Sequence, residues 1–303
     1  MIDLRFSHEV KAARDSARPI VALESAIIAH GLPRPENLET ARRCESIIRE
    51  EGAVPATLAF RDGAALVGLE PDTLEALAAA DSVAKVNLAN LAGVLSHGGW
   101  GAATVSASLW TCHRADLPVL VTGGIGGVHR GFAESFDISS DLTALARFPV
   151  LVVCSGVKSL LDIAATREHL ETLGVPIVGY QTDTLPRFYI RESAYPVDAR
   201  ADTPEDAARI ARLHWEAGGA GIVLGVPVPP DDEVIEAKLE EALAEAEYDR
   251  RHSPTPIEGR AVTPFILAAL VRHTHGATLR ANLALIHNNS RIAARLAKAL
   301  AGH

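Results

Sequence analysis

The stretch PVLVTGGIGGVHRG, residues 118–131, decides the fold. Its first half is an aliphatic, β-branched run bounded by Pro118 and Gly123, the pattern of a strand buried on both faces. Its second half is a glycine loop carrying a His129-Arg130 pair. Similar apolar runs recur outward from it at 19–23, 56–60, 149–154, 176–180 and 221–224. Helical patterns lie between them. Asn37 is placed to cap one that runs to about residue 51, with Leu38, Ala41, Cys44, Ile47 and Ile48 on one face. Others fall near 73–80, 104–113, 139–146, 160–173, 204–217, 232–250 and 264–273, and a long one closes the chain over 279–300. Strands alternating with helices predict an α/β fold whose sheet is covered on both faces. The runs at 118–124, 149–156 and 221–227 share a loose pattern, which buried parallel strands share in any case. The segment 185–200 reads as irregular.

Composition narrows the function. Of 303 residues, 48% are hydrophobic and 22% charged, which excludes a disordered chain. Cys44, Cys112 and Cys154 are too few and too scattered for a disulfide scaffold and fit a reducing cytoplasm. With 29 basic against 38 acidic residues, the net charge of −9 argues against general binding of nucleic acid. Residues 1–9 lack the apolar core of a signal peptide. No run reaches the ~18 apolar residues of a membrane span. No linker or low-complexity tract divides the chain, so one domain over 1–303 is expected.

Ligands of open α/β sheets gather at the carboxyl ends of the strands. Three strand ends deliver chemistry here: Glu24-Ser25 after the first, the glycine loop after the third, and Ser155-Gly156-Val157-Lys158 after the fourth. The glycine loop lacks the Gly-Lys-Ser/Thr ending of a P-loop and the dinucleotide spacing. Its glycines still let backbone N–H groups approach an anion. In SFDISSDL (135–142), Ser139 or Ser140 is placed as an N-cap, Asp137 and Asp141 stand four residues apart, and one carboxylate with waters can hold Mg²⁺ or Mn²⁺. Taken alone, the segment reads first as ordinary capping. Lys158, in a small-residue turn after a buried strand, would feel desolvation, and a neutral amine is what imine chemistry with a sugar aldehyde needs. Taken alone, Lys158 and Lys85 also read as solvated side chains. His273-x-His275 has no third ligand at zinc spacing. Cys154 reads as a core thiol, and Trp100, in a glycine-rich loop, as packing or as a platform for a flat ligand.

Together, VALESAIIAHGLPRPEN (21–37), EGAVPAT (51–57), TGGIGGVHRG (122–131), SFDISSDL (135–142), GVKSLLD (156–162) and GVPIVGYQTD (174–183) resemble the pseudouridine-5′-phosphate glycosidase family, also called indigoidine-synthase-A-like. The resemblance runs in order from Val21 to the last helix. It implies a three-layer α/β/α sandwich around a mostly parallel or mixed sheet, assembled as a homotrimer. It implies reversible cleavage of the C–C glycosidic bond of pseudouridine 5′-phosphate to uracil and ribose 5-phosphate. Lys158 matches the lysine that forms an imine with C1′, Glu24 the proton donor, and Asp137 the anchor of a Mn²⁺-type ion, for which Mg²⁺ can substitute. Lys85, Val105, Ser139, Ser140 and Asp141 match substrate contacts, and Thr122, His129 and Asn282 match further polar positions. The chemistry agrees: an imine supplies an electron sink at the anomeric carbon while a general acid returns a proton to the ring carbon.

The periphery departs from the family pattern. Lys-Val-Ser-Arg-Arg-Asp-Leu-Pro becomes Lys85-Val86-Asn87-Leu88-Ala89-Asn90-Leu91-Ala92, and Gly-Ala-Thr-Thr becomes Gly101-Ala102-Ala103-Thr104 behind Trp100. Glu-Ser-Thr-Ile-Ile-Ser becomes Glu24-Ser25-Ala26-Ile27-Ile28-Ala29, Val-Ala-Asn-Pro becomes Leu224-Gly225-Val226-Pro227, and His287 stands where an aliphatic residue is usual. A site short of such polar groups discriminates less for uracil. A larger aromatic acceptor, as in alnumycin-type C-ribosylation, is the second expectation. A non-catalytic sugar-phosphate binder is the third, opposed by the retained lysine, glutamate and aspartate.

Overall fold

The computed structural model describes residues 2–302; positions 1 and 303 lie outside it. In chain order, the first elements are β1 (Asp3–Phe6), α1 (His8–Asp15), β2 (Ile20–Leu23), α2 (Glu36–Glu50), β3 (Val54–Arg61), β4 (Ala64–Val67), α3 (Pro71–Ala79), β5 (Val83–Val86), α4 (Leu91–His97), β6 (Trp100–Ala103) and α5 (Val105–Ala115). Then come β7 (Val119–Val121), β8 (Val128–His129), α6 (Phe132–Ser135), α7 (Ser140–Leu145), β9 (Leu151–Cys154), β10 (Leu161–Asp162), α8 (Ile163–Thr172), β11 (Ile177–Tyr180) and β12 (Ala199–Ala201). The chain ends with α9 (Pro204–Glu216), β13 (Ile222–Gly225), α10 (Glu236–Arg251), α11 (Val262–His273) and α12 (Ala277–Ala301).

One sheet runs in the order β1-β4-β3-β2-β7-β9-β13-β11-β12, with β6 also on β3 and β5 on β6. All pairings in it are parallel except β3 with β4 and with β6, so the sheet is mixed and mostly parallel, as expected. Strands β2, β7, β9 and β13 are buried along their whole length, which requires a helical layer on each face. Helix α12 packs on β2, β7 and β9 beside α2 and α9, while α5 packs on β2 and β7 with α7. No helix among the described residues is long and apolar enough to cross a membrane.

Most strands that periodicity did not reveal lie on one half of the sheet; β12, at the end of the segment read as irregular, pairs with β11 at the other edge, and β8 and β10 pair apart from it. β1 alternates exposed and half-buried residues, and β5 and β6 are made largely of Ala, Gly and Lys, types with low strand propensity. β4 is paired to β3 by a two-residue turn, Asp62-Gly63, in which both φ angles are positive; Asp-Gly is a strong hairpin signal. Trp100 lies in β6, not in a loop, and the Arg61 guanidinium sits 4.5 Å from its ring centre. Asn37 does not cap α2. The helix starts one residue earlier, and the buried Asn37 amide donates to Ile28 O (3.0 Å) and Ala78 O (3.1 Å), fastening the 27–31 turn to α3. The expected helix over 160–173 starts only at Ile163 under an Asp162 cap, because 161–162 pairs with β8. The expected helix over 232–250 starts only at Glu236.

Candidate active site

The glycine loop extends β7 and the Lys158 turn extends β9, and the two extensions stay paired. Ser155 N donates to Gly123 O (2.8 Å), Ile125 N to Gly156 O (3.0 Å) and Lys158 N to Ile125 O (3.2 Å). Small residues make this possible. A Cβ on Gly126 would collide with Ser139 Oγ and stand 2.8 Å from Asp141 Oδ2. Gly156 has φ +77°, and a Cβ there would collide with the Pro186 carbonyl. From the opposite layer, Asn289 Nδ2 on α12 donates to Thr122 O (3.0 Å) and to Ser155 Oγ (3.2 Å), tying the two strand ends together.

Beyond these strand ends lies a cavity of about 490 Å³. Glu24, Lys85, Val105, Thr122, His129, Asp137, Ser139, Ser140, Asp141, Lys158 and Asn282 all line it, so every residue to which the family resemblance gives a role reaches one space. Trp100 and Cys154 do not line it. Cys154 is fully buried, and burial pushes its thiol up to about 12, as a core thiol. His273 lies elsewhere, between Glu245 Oε2 and Asp249 Oδ2 at 2.9 Å each.

Glu24 is 8% exposed. Its Oε1 accepts from Thr122 Oγ1 (3.2 Å) and its Oε2 from Ile27 N (3.2 Å). Burial raises its pKa above the ordinary carboxylate value. The Lys158 charge and these two donors pull it back only in part, and Asp141 adds to the rise. The result is a carboxyl able to hold a proton in the cavity, across from an amine. His129 and Asp137 are joined through the backbone, His129 N to Asp137 O at 3.0 Å, with their side chains 3.9 Å apart. Burial lowers the His129 pKa, against the pull of the Asp137 carboxylate.

Ser139 caps α7, its Oγ accepting from Asp141 N (3.2 Å). Ser140 Oγ and Ser106 Oγ are 3.0 Å apart. Asp141 is buried with both oxygens engaged: Oδ1 accepts from Ser106 N (2.9 Å) and Oδ2 from Gly126 N (2.8 Å). Its carboxylate therefore pins the glycine loop to the first turn of α5, a positioning role that the motif did not disclose.

Sequence reading passed over His30, Phe188, Thr263, Pro264 and Leu267, which also line the cavity. Phe188 comes from the irregular 185–200 segment, which folds inward, with Phe188 and Tyr189 buried. Its aromatic residues were the available signal. His30 sat inside a quoted motif. Its Nε2 and Asn282 Oδ1 are buried without a hydrogen-bond partner among the described residues, so both are free to meet a ligand. Burial and the Lys85 charge lower the His30 pKa.

The residues fit a divalent cation only in one form. Among the described residues no group of three or more His, Cys, Asp or Glu can hold a metal. Asp137 is a single, one-third exposed carboxylate at the cavity wall. A single carboxylate of this kind suits a Mg²⁺- or Mn²⁺-type ion that keeps most of its waters.

Comparison with known proteins accords with this site. The pattern of the family described as indigoidine synthase A like protein matches residues 9–299. The pseudouridine-5′-phosphate glycosidase of Myxococcus xanthus is 48% identical, over 99% of both chains. That of Caldanaerobacter subterraneus is 46% identical, over 98% of this chain and 95% of its own. Among solved structures, prealnumycin C-glycosynthase AlnA in complex with ribulose 5-phosphate superposes with a TM-score of 0.90 at 38% identity, covering 99% of this chain and 97% of its own. An indigoidine synthase A-like protein of Thermotoga maritima gives 0.88 at 34% identity, covering 98% and 96%. The chain belongs to the indigoidine synthase A-like family, the family of the pseudouridine-5′-phosphate glycosidases.

Proposed function

We propose that this protein makes and breaks the C–C glycosidic bond between ribose 5-phosphate and a planar ring, with reversible cleavage of pseudouridine 5′-phosphate to uracil and ribose 5-phosphate as its reaction. One observation carries the reading: a buried carboxyl of raised pKa and a lysine share one cavity, beside a glycine loop. Relatives that bear the glycosidase name at 45–48% identity support it.

A C–C glycoside has no heteroatom leaving group to protonate. In the proposed path, the Lys158 amine bonds to C1′ as the C1′–O4′ bond opens, and the proton that the nitrogen then loses goes to O4′. The nitrogen lone pair then forms the C=N bond as the C1′–ring bond breaks, and the Glu24 proton goes to the ring carbon. Water hydrolyses the imine, and ribose 5-phosphate leaves. Thr122 and Ile27 N hold Glu24 in place. Lys85, Ser139, Ser140 and the glycine-loop amides offer cations and donors for the phosphate and hydroxyls, with Val105, His129 and Asn282 completing the wall. A Mn²⁺- or Mg²⁺-type ion held by Asp137 would neutralise phosphate charge. Assembly as a homotrimer belongs to the same proposal, and a cytoplasmic setting fits three buried free thiols.

A second reading has its own observation. Ala26, Ile27, Ala89, Pro264, Leu267 and Phe188 give the cavity an apolar wall suited to a larger aromatic ring. One incubation separates the two. With Mn²⁺, ribose 5-phosphate and uracil, mass spectrometry should find pseudouridine 5′-phosphate, and the cleavage direction should run at an ordinary enzyme's ~10 s⁻¹. Ribose 5-phosphate bound covalently with no uracil turnover would instead assign the protein to another ring.

A further inference from the structure

Two polar atoms of the cavity wall, His30 Nε2 and Asn282 Oδ1, are buried without a hydrogen-bond partner among the described residues. Each adjoins a segment that also holds Glu24. His30 belongs to the 27–31 turn, whose Ile27 N donates to Glu24 Oε2 (3.2 Å). Thr122 donates to Glu24 Oε1, and a Cβ on the next residue, Gly123, would stand 3.5 Å from Asn282 Oδ1. The wall around the two atoms is otherwise largely apolar, with Ile27, Pro264, Leu267 and Phe188. Ala26 also lines it, where the family pattern carries a threonine hydroxyl. Burial and the Lys85 charge both lower the His30 pKa, so its imidazole is neutral and suits an uncharged partner rather than a phosphate.

We propose that His30 is a specificity-determining residue of the ring subsite, which reads, together with Asn282, the C=O and N–H edge of a heterocyclic imide. The inference rests on the reaction proposed above. Glu24 must reach the ring carbon, so the ring stands on the side of the cavity that Glu24 shares with these two atoms. Lys85 and the glycine-loop amides are left for the phosphate. An amide oxygen only accepts, so Asn282 Oδ1 takes a ring N–H. Nε2 of a neutral imidazole is a donor in one tautomer and an acceptor in the other, so His30 takes a ring carbonyl or a second N–H. Uracil carries both groups. An all-carbon aromatic ring of the same width would fill the apolar wall and leave both buried atoms unpaired. A site built to hydrogen-bond its substrate rejects a ligand that lacks the group far more strongly than an apolar pocket rejects a misfit. With Ala26 in place of a hydroxyl, the discrimination in this chain falls more heavily on His30.

Kinetics in the synthesis direction, with Mn²⁺, ribose 5-phosphate and uracil, test this on the parent, His30→Leu and His30→Gln. Loss of a buried hydrogen bond to the ring predicts a fall of ~10- to 100-fold in kcat/KM for uracil in His30→Leu. The ribose 5-phosphate concentration that half-saturates borohydride capture should stay at the parental value. Tm should hold or rise, because a buried atom without a partner is removed. His30→Gln, whose amide again offers a donor and an acceptor, should recover most of the lost kcat/KM. An unchanged kcat/KM for uracil in His30→Leu overturns the assignment. A shift in the half-saturating ribose 5-phosphate concentration at parental Tm also overturns it, because His30 would then serve the sugar phosphate. A joint loss of capture, kcat/KM and Tm that His30→Gln does not repair is the mark of a structural role and overturns it too. A parent that captures ribose 5-phosphate and makes no pseudouridine 5′-phosphate overturns the uracil reading itself, and the imide assignment with it.

Discussion

Replacing Asp141 with Asn changes almost no volume and tests what the carboxylate does. In the structure each oxygen takes one backbone N–H, Gly126 N at 2.8 Å and Ser106 N at 2.9 Å, in a group 5% exposed. Asn offers one oxygen, so one bond survives in neutral form. The other N–H then faces an amide NH₂ and loses its partner. A hydrogen bond to a charged group contributes ~1.5–3 kcal/mol, and an orphaned buried donor costs ~1–3 kcal/mol. The sum predicts a loss of roughly 3–5 kcal/mol in unfolding free energy, before relaxation of the loop. Urea unfolding should show it as a lower midpoint at unchanged m-value. Activity should fall with it, because Gly126 belongs to the loop that pairs with the Lys158 turn. A variant within ~0.5 kcal/mol of the parent, as for a surface substitution, would refute the pinning role. If that variant also bound ribose 5-phosphate weakly, Asp141 would be a substrate contact instead.

Other expectations follow from the same geometry. Glu24→Gln should lower turnover by ~100-fold or more while covalent capture of ribose 5-phosphate persists, read by steady-state kinetics and borohydride trapping. The raised Glu24 pKa means that the native state binds more protons than the unfolded chain above the ordinary carboxyl value of 4.5. Its contribution therefore erodes stability as pH rises through that interval, and Glu24→Gln should flatten this fall in a pH series of unfolding curves. Asn282→Leu removes a buried oxygen without a partner, so Tm should hold or rise while kcat/KM for the nucleotide drops; a lower Tm with intact kcat/KM would contradict the binding role. Added Mn²⁺ should activate a chelator-treated enzyme, and Asp137→Ala should abolish that activation with imine capture retained.

The sequence made the strand ends legible because the buried parallel strands are continuous aliphatic runs, and each is followed by a chemically distinctive residue. Glu24, the glycine loop and Lys158 could therefore be placed together from the sequence, while Thr122 came from the family pattern. The outer half of the sheet was not legible, because β5 and β6 use Ala, Gly and Lys and are held by pairing rather than propensity. Lys85 owes its place to β5, so only the family pattern pointed to it. Phe188 was hidden for a different reason: it lies at φ +63° in a segment without repeat, and irregular backbone has no period to read. Asp141 was found for the motif it sits in, yet its bonds to Ser106 and Gly126 span 35 and 15 residues, which no local pattern encodes.

The central claim is that Lys158 bonds covalently to the sugar. Incubation with ribose 5-phosphate, reduction with borohydride and peptide mapping test it directly. The account predicts one stable adduct on the peptide that carries Lys158, absent from Lys158→Ala. An adduct on Lys85 in its place, or capture that persists at parental level in Lys158→Ala, would contradict it.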